Sequence, residues 1–201
     1  MGNGWRTNFN QMIYVSADTG RYTWEDGDGT QHEFTAASNT TYKDFDDLGL
    51  TLTVSSSGYS LTDKYGNQSI FGTSGRLTRQ VNNQSTASSI TISYQSTTNN
   101  LISQIQDGVG RKYVYTYGSD GLLDDISYYG TNNVSDAGRI MSISFDYTNS
   151  NLSTITYEDR AISTFSYTTK NLLSTATDAD GYKISYTAPQ RYCNNQNKLH
   201  L

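Results

Sequence analysis

Proline occurs once and cysteine once in the 201 residues of this chain, and both scarcities exclude something. With Cys193 alone no intramolecular disulfide can form, so the fold stands without a covalent staple. Charged residues are only 16% of the chain, the formal net charge is −5, and no basic cluster is longer than Arg111-Lys112. That balance excludes an electrostatic nucleic-acid surface or an anionic-membrane surface. Histidine is limited to His32 and His200, which leaves almost no material for a histidine-based triad or a zinc site. No apolar run approaches the roughly 18 residues needed to span a bilayer. Met1 is followed by Gly-Asn-Gly-Trp and not by a charged and then apolar leader, so the expectation is a piece excised from a longer protein.

Aliphatic residues are also scarce. The hydrophobic fraction is 34% and the mean hydropathy −0.64, too low for an ordinary core of leucine, isoleucine and valine. What the chain has instead is 17 tyrosines, 17 glycines and an abundance of serine and threonine. That mixture favours strands and tight turns. A phenol ring covers a large apolar area while its hydroxyl keeps a polar partner, which suits a thin sheet with one wetter face. An aromatic content of 12% argues against disorder.

Apolar and polar residues alternate with period two from about residue 50 onward, as in Leu50-Thr-Leu52-Thr-Val54, Ile90-Thr-Ile92-Ser-Tyr94 and Tyr113-Val-Tyr115-Thr-Tyr117. Turn residues such as Asp107-Gly-Val-Gly110, Ser119-Asp-Gly121 and Asp180-Gly181 separate these runs, so consecutive hairpins are predicted and helix is not. Aligning on the last aromatic of each run gives Tyr94, Tyr117, Tyr147, Tyr167 and Tyr186, at intervals of 23, 30, 20 and 19 residues. The unit is near 20 residues, with the long interval explained by a loop insertion over residues 130–137. A second landmark keeps the same phase, a small turn residue before a leucine expected to be buried: Gly75 and Leu77, Asn100 and Leu101, Gly121 and Leu122, Asn151 and Leu152, Asn171 and Leu172. Each unit therefore reads as turn, leucine strand, turn, tyrosine strand. No pair of strands buries its face alone, so stacked neighbours close the core. The expected fold is all-β: tandem β-hairpin repeats forming a curved, continuous antiparallel sheet. The expected division is an irregular β lead-in or cap over residues 1–49, the repeat array over 50–187, and a non-repeat tail over 188–201 that is set apart from the fold.

Gly75-Arg76-Leu77-Thr78, the run from Asp107 to Tyr117 and the run from Asp178 to Tyr186 resemble the YD-repeat pattern of the Rhs family, which includes wall-associated bacterial toxins, shell components of insecticidal toxin complexes and teneurins. The segments Gly4-Trp5-Arg6-Thr-Asn8-Phe9 and Asp28 to Phe34 are similar to the stretch that opens the repeat region in such proteins. The resemblance covers about residues 4–187. It implies a β-sheet ribbon spiralling into a hollow shell around a cargo, in a secreted or surface-delivered bacterial protein. The repeats here are too few for a complete shell, and the family's self-cleaving aspartate core has no match.

Several residues invite sharper readings. Asp26-Gly27-Asp28-Gly29 has alternate carboxylates, yet it lacks the late glutamate and flanking helices of a calcium loop and is read as a hairpin turn. His32 is expected on a wetted strand face, and Cys193 has no nearby base for nucleophilic chemistry. The adjacent carboxylates Asp46-Asp47, Asp124-Asp125 and Glu158-Asp159 cannot share a site, because neighbours on a strand point to opposite faces. Five Asn-x-Ser/Thr sequons begin at Asn39, Asn67, Asn83, Asn133 and Asn151, as composition alone predicts. The tyrosines keep phase with aliphatics on the same strand face and are read as structure. No catalytic residue, metal or cofactor is assigned. The expected partners are the rest of the parent polypeptide and its cargo, with self-association through strand edges and, as an alternative role, glycan binding through exposed tyrosines.

Overall fold

The structure is a computed structural model that describes residue 2 and residues 4–96, 101–131 and 134–187. The tail with Cys193 and His200, together with Asn100 and Asn133, lies outside the described residues.

Seventeen strands follow one another. The first nine are β1 (Met12–Val15), β2 (Tyr22–Glu25), β3 (Gln31–Ala36), β4 (Thr41–Asp44), β5 (Thr51–Ser55), β6 (Gly58–Thr62), β7 (Gln68–Phe71), β8 (Leu77–Asn82) and β9 (Ser85–Tyr94). The remainder are β10 (Ile102–Asp107), β11 (Lys112–Tyr117), β12 (Leu123–Tyr128), β13 (Met141–Thr148), β14 (Asn151–Thr156), β15 (Ile162–Tyr167), β16 (Leu173–Thr177) and β17 (Lys183–Ser185). Each pairs antiparallel with the next, so the molecule is one continuous meander, which the alternation predicts from about residue 50 onward and which β1–β4 extend. Apart from a single 3-10 turn at Asp136–Gly138, no helix is found among the described residues.

Two kinds of turn alternate. In the first, an aspartate folds its carboxylate back onto the turn. Asp63 accepts the amides of Tyr65 and Asn67, Asp107 those of Val109 and Arg111, and Asp178 those of Asp180 and Tyr182, all within 2.8–3.1 Å. The fourth residue needs positive φ, which glycine adopts without strain: Gly66, Gly110 and Gly181 sit at 84°, 89° and 87°. Between β14 and β15 the same path is taken by Tyr157 to Arg160, with Arg160 forced to φ 68°. Asp26 belongs to this class: its Oδ1 accepts the amides of Asp28, Gly29 and Thr30, so the acidic cluster is a hairpin turn.

In the second kind, Gly75 donates to Gly72, Gly121 to Gly118 and Asn171 to Thr168, and a one-residue bulge follows. The bulge comes directly after each pairing of Phe71 with Leu77, Tyr94 with Ile102, Tyr117 with Leu123, Tyr147 with Leu152 and Tyr167 with Leu173. The bulged residue is small and polar. Thr78 and Ser153 turn their hydroxyls onto the carbonyls of Ile70 and Asp146, at 3.0 and 3.1 Å, groups beside the break in the ladder.

Apolar side chains on one face form a single core running from Ile13, Phe34, Leu52 and Leu61 through Phe71, Leu77 and Ile92 to Leu123, Phe145 and Leu152. The N-terminal segment lies against that face. Ile13 donates to the Gly75 carbonyl at 2.8 Å and Met12 bridges Arg76, while Trp5 packs edge-on against Phe165 of β15 at 4.8 Å. On a flat sheet the seven steps from β8 to β15 would measure about 34 Å. The seven residues from Trp5 to Met12 reach about 25 Å fully extended, and they include a turn closed by Asn10 onto Thr7. The sheet therefore curls, and its concave face holds residues 4–11.

Candidate functional site

The most regular feature of the molecule is a ladder of phenol hydroxyls. Tyr94 donates to the carbonyl of Leu77 at 2.7 Å, Tyr117 to Ile102 at 2.9 Å, Tyr147 to Leu123 at 2.8 Å and Tyr167 to Leu152 at 2.8 Å. Each tyrosine thus reaches back one unit and ties its strand to the apolar residue that opened the unit before. The bulge makes the geometry possible, because it swings the strand end and aims the aromatic ring along the sheet. Burial pushes the phenols of Tyr94, Tyr115, Tyr117 and Tyr147 up to about 12. Beside Tyr94 the guanidinium of Arg76 lies over the ring, 4.9 Å from its centre, and partly offsets that rise. Trp5 joins the ladder by donating its indole N–H to the Tyr167 hydroxyl at 2.7 Å.

Four of the five tyrosines singled out in the sequence are rungs of this ladder. Tyr186, just after the last strand of the described residues, is 47% exposed. The leucine landmarks need correction. Leu77 and Leu152 are fully buried, but the residues equivalent to them are Ile102, Leu123 and Leu173. Leu101 and Leu122 are only half-buried and Leu172 is 50% exposed. The offset arises because the turn residue at positive φ is followed by one residue that closes the turn before the strand begins, as when Leu122 presents its carbonyl to Gly118. Leu123→Ala is expected to cost about 3 kcal/mol, the range for a buried leucine. Leu122→Ala is expected to cost less than about 1 kcal/mol. Urea titration of the two variants checks the order, and equal losses would return the original register.

The remaining polar candidates are committed to structure. His32 is not on a wetted face: its side chain is 12% exposed, tilted against Trp24 at 5.1 Å, with Nδ1 3.0 Å from Asp46 and Nε2 3.4 Å from Asp26. It joins the β2–β3 turn to the β4–β5 loop. Asp125 accepts from Ser127, Glu158 from the Ser142 amide, and Asn151, buried at 5%, donates to Asn171 at 3.0 Å. Burial of Asn151 removes that sequon from any surface role. No group of three or more metal-ligating side chains is found among the described residues.

No family model matches the chain, and no curated protein does. Among solved structures it is similar to part of a chain in the crystal structure of TcdB2-TccC3-Cdc42, with a TM-score of 0.41 and 15% sequence identity. The match covers 84% of this chain and 10% of that one, so the present chain spans about a tenth of that protein's length.

Proposed function

We propose that the chain is a non-catalytic structural module, one segment of the wall of a larger β-repeat shell or scaffold that encloses or presents a toxin or other effector in a secreted or surface-delivered bacterial protein. The observation that carries this reading is the ladder itself. Its four hydroxyls are spent on joining one unit to the next, and its rings are packed evenly along the sheet instead of being gathered beside a groove. Such an arrangement has no intrinsic end, since every unit presents the next with the same bulged edge. At β17 the outward rings and chains of Tyr182, Ile184 and Tyr186 are 73%, 59% and 47% exposed, which is where a further unit of the parent polypeptide would stack. Its partners are accordingly the remainder of that polypeptide and its cargo.

Two measurements test the proposal. In sedimentation velocity the isolated chain is expected to self-associate as its concentration rises, and Ile184→Lys to suppress this, because a lysine on an open edge blocks strand addition. In the parent polypeptide, the segment following the array is expected to resist protease until residues 50–187 are deleted. Digestion at the same rate with and without the array would remove the enclosing role.

A further inference from the structure

A single cysteine leaves the chain without a disulfide, but its 17 tyrosines offer another covalent link. Two phenol rings joined through the Cε carbons beside their hydroxyl groups form a dityrosine. The link requires two rings lying side by side and an oxidant able to reach them, and the tyrosines of this fold divide on those two conditions.

The hydroxyls of the ladder tyrosines Tyr94, Tyr117, Tyr147 and Tyr167 are engaged with backbone carbonyls, and each rung sits in a different unit. Tyr22 meets Tyr42 and Tyr59 edge-on, at 4.7 and 5.8 Å with interplanar angles of 72° and 65°. In that arrangement the edge of one ring points at the face of the other, so the coupling carbons are not brought together. Tyr113 of β11 and Tyr128 of β12 differ from all of these. They stand directly opposite each other in the antiparallel register, with ring centroids 5.0 Å apart and planes 26° from parallel. Residues so placed have their Cβ atoms about 4.5–5.5 Å apart, so side-chain rotation alone brings the ring edges together. Both rings are half-buried, at the end of the hairpin away from its turn. Met141, which follows Tyr128 in the same cross-strand row, is 44% exposed, so the row opens to solvent. Neither hydroxyl is a rung of the ladder, and among the described residues neither makes a hydrogen bond.

We propose that Tyr113 and Tyr128 are a site of oxidative cross-linking, joined by hydrogen peroxide acting through a haem peroxidase. Each phenol gives one electron to the oxidised haem and its hydroxyl proton to water. The two phenoxyl radicals pair their electrons in a new carbon–carbon bond between one Cε of each ring. The hydrogens on the two joined carbons leave as protons, the two oxygens take protons back, and the peroxide becomes two waters. The product is two hydrogens lighter and closes the β11–β12 hairpin covalently, which withdraws conformations from the unfolded chain. The link depends on this hairpin alone and not on the role of the array.

The test treats the whole chain, dilute and natively folded, with a plant haem peroxidase and hydrogen peroxide. Dityrosine fluorescence, the oligomeric state and the sequence of the joined peptides are followed. The expected product is a monomer in which the peptide carrying Tyr113 is bonded to the one carrying Tyr128, with a melting temperature raised by about 5 °C. Tyr128→Phe keeps the stacked ring and is expected to abolish the internal link, with Tyr113→Phe as the second variant if the first fails to fold. Tyr22→Phe is expected to leave the link unchanged. Dityrosine found only between molecules, a joined pair other than Tyr113 and Tyr128, or a melting temperature unmoved by the link would overturn the proposal.

Discussion

Gly75→Ala is expected to destabilise the protein by about 4 kcal/mol or more, the upper end of single-residue effects. Gly75 sits at φ 80°, and a Cβ there would lie 1.9 Å from the Ile13 carbonyl oxygen and 3.1 Å from its carbon. Neither atom can yield, because both are backbone of a strand whose own amide is bonded to the Gly75 carbonyl. The cost is left-handed strain, about 1–2 kcal/mol, plus displacement of β1 from the curled face. Gly121 is the matched control. It stands in the equivalent turn at φ 76° with nothing within 4 Å of an added Cβ, so Gly121→Ala is expected to show the strain alone. Equilibrium unfolding of both variants measures the difference. Equal losses would mean that the N-terminal strand does not dock on the array at Gly75.

The second large effect belongs to the ladder. Replacing Tyr94, Tyr117, Tyr147 and Tyr167 together by phenylalanine keeps the rings and removes the hydroxyls, leaving the carbonyls of Leu77, Ile102, Leu123 and Leu152 without that donor. At about 1 kcal/mol for each lost bond, the quadruple variant is expected to lose about 4 kcal/mol. The pH dependence gives an independent readout. A phenol whose folded-state value is raised from 10.0 to about 12 is held neutral by the fold. Its stabilising contribution is complete below pH 10 and is lost as pH rises through the folded value. The native chain should therefore weaken between pH 10 and 12, and the variant should show only the part retained by Tyr115, also raised to about 12, and by Tyr14 and Tyr22, which burial raises as well. An alkaline profile unchanged by the four substitutions would show that these phenols are not buried as described.

Much of this architecture was legible in the residues, and for a local reason. A strand of alternating apolar and polar residues declares which face is inward, and an Asp-x-x-Gly turn supplies both a carboxylate for its own amides and a residue free to take positive φ. Phase was harder. In Leu122-Leu123 and Leu172-Leu173 both residues are leucine, and only the bulge after the turn decides that the second faces the core. The turn from Tyr157 to Arg160 carries neither aspartate nor glycine at its key positions and is recognised only from its path. His32 read as exposed, although Trp24 stands directly opposite it across the β2–β3 hairpin, because Asp26 and Asp46, which close its other sides, come from two separate loops.

The sequence by itself therefore determined the class of the fold, its repeat, and the rank of its tyrosines, since these follow from interactions between neighbours in the chain or between adjacent strands. Tertiary structure alone decided that the sheet curls and that residues 4–11 lie on its concave face. It also decided that Trp5 bonds Tyr167 across 162 residues. The physical reason is range: pairing and turn chemistry are written within about one repeat, whereas curvature is the accumulated twist of many strands and is visible only where distant surfaces meet.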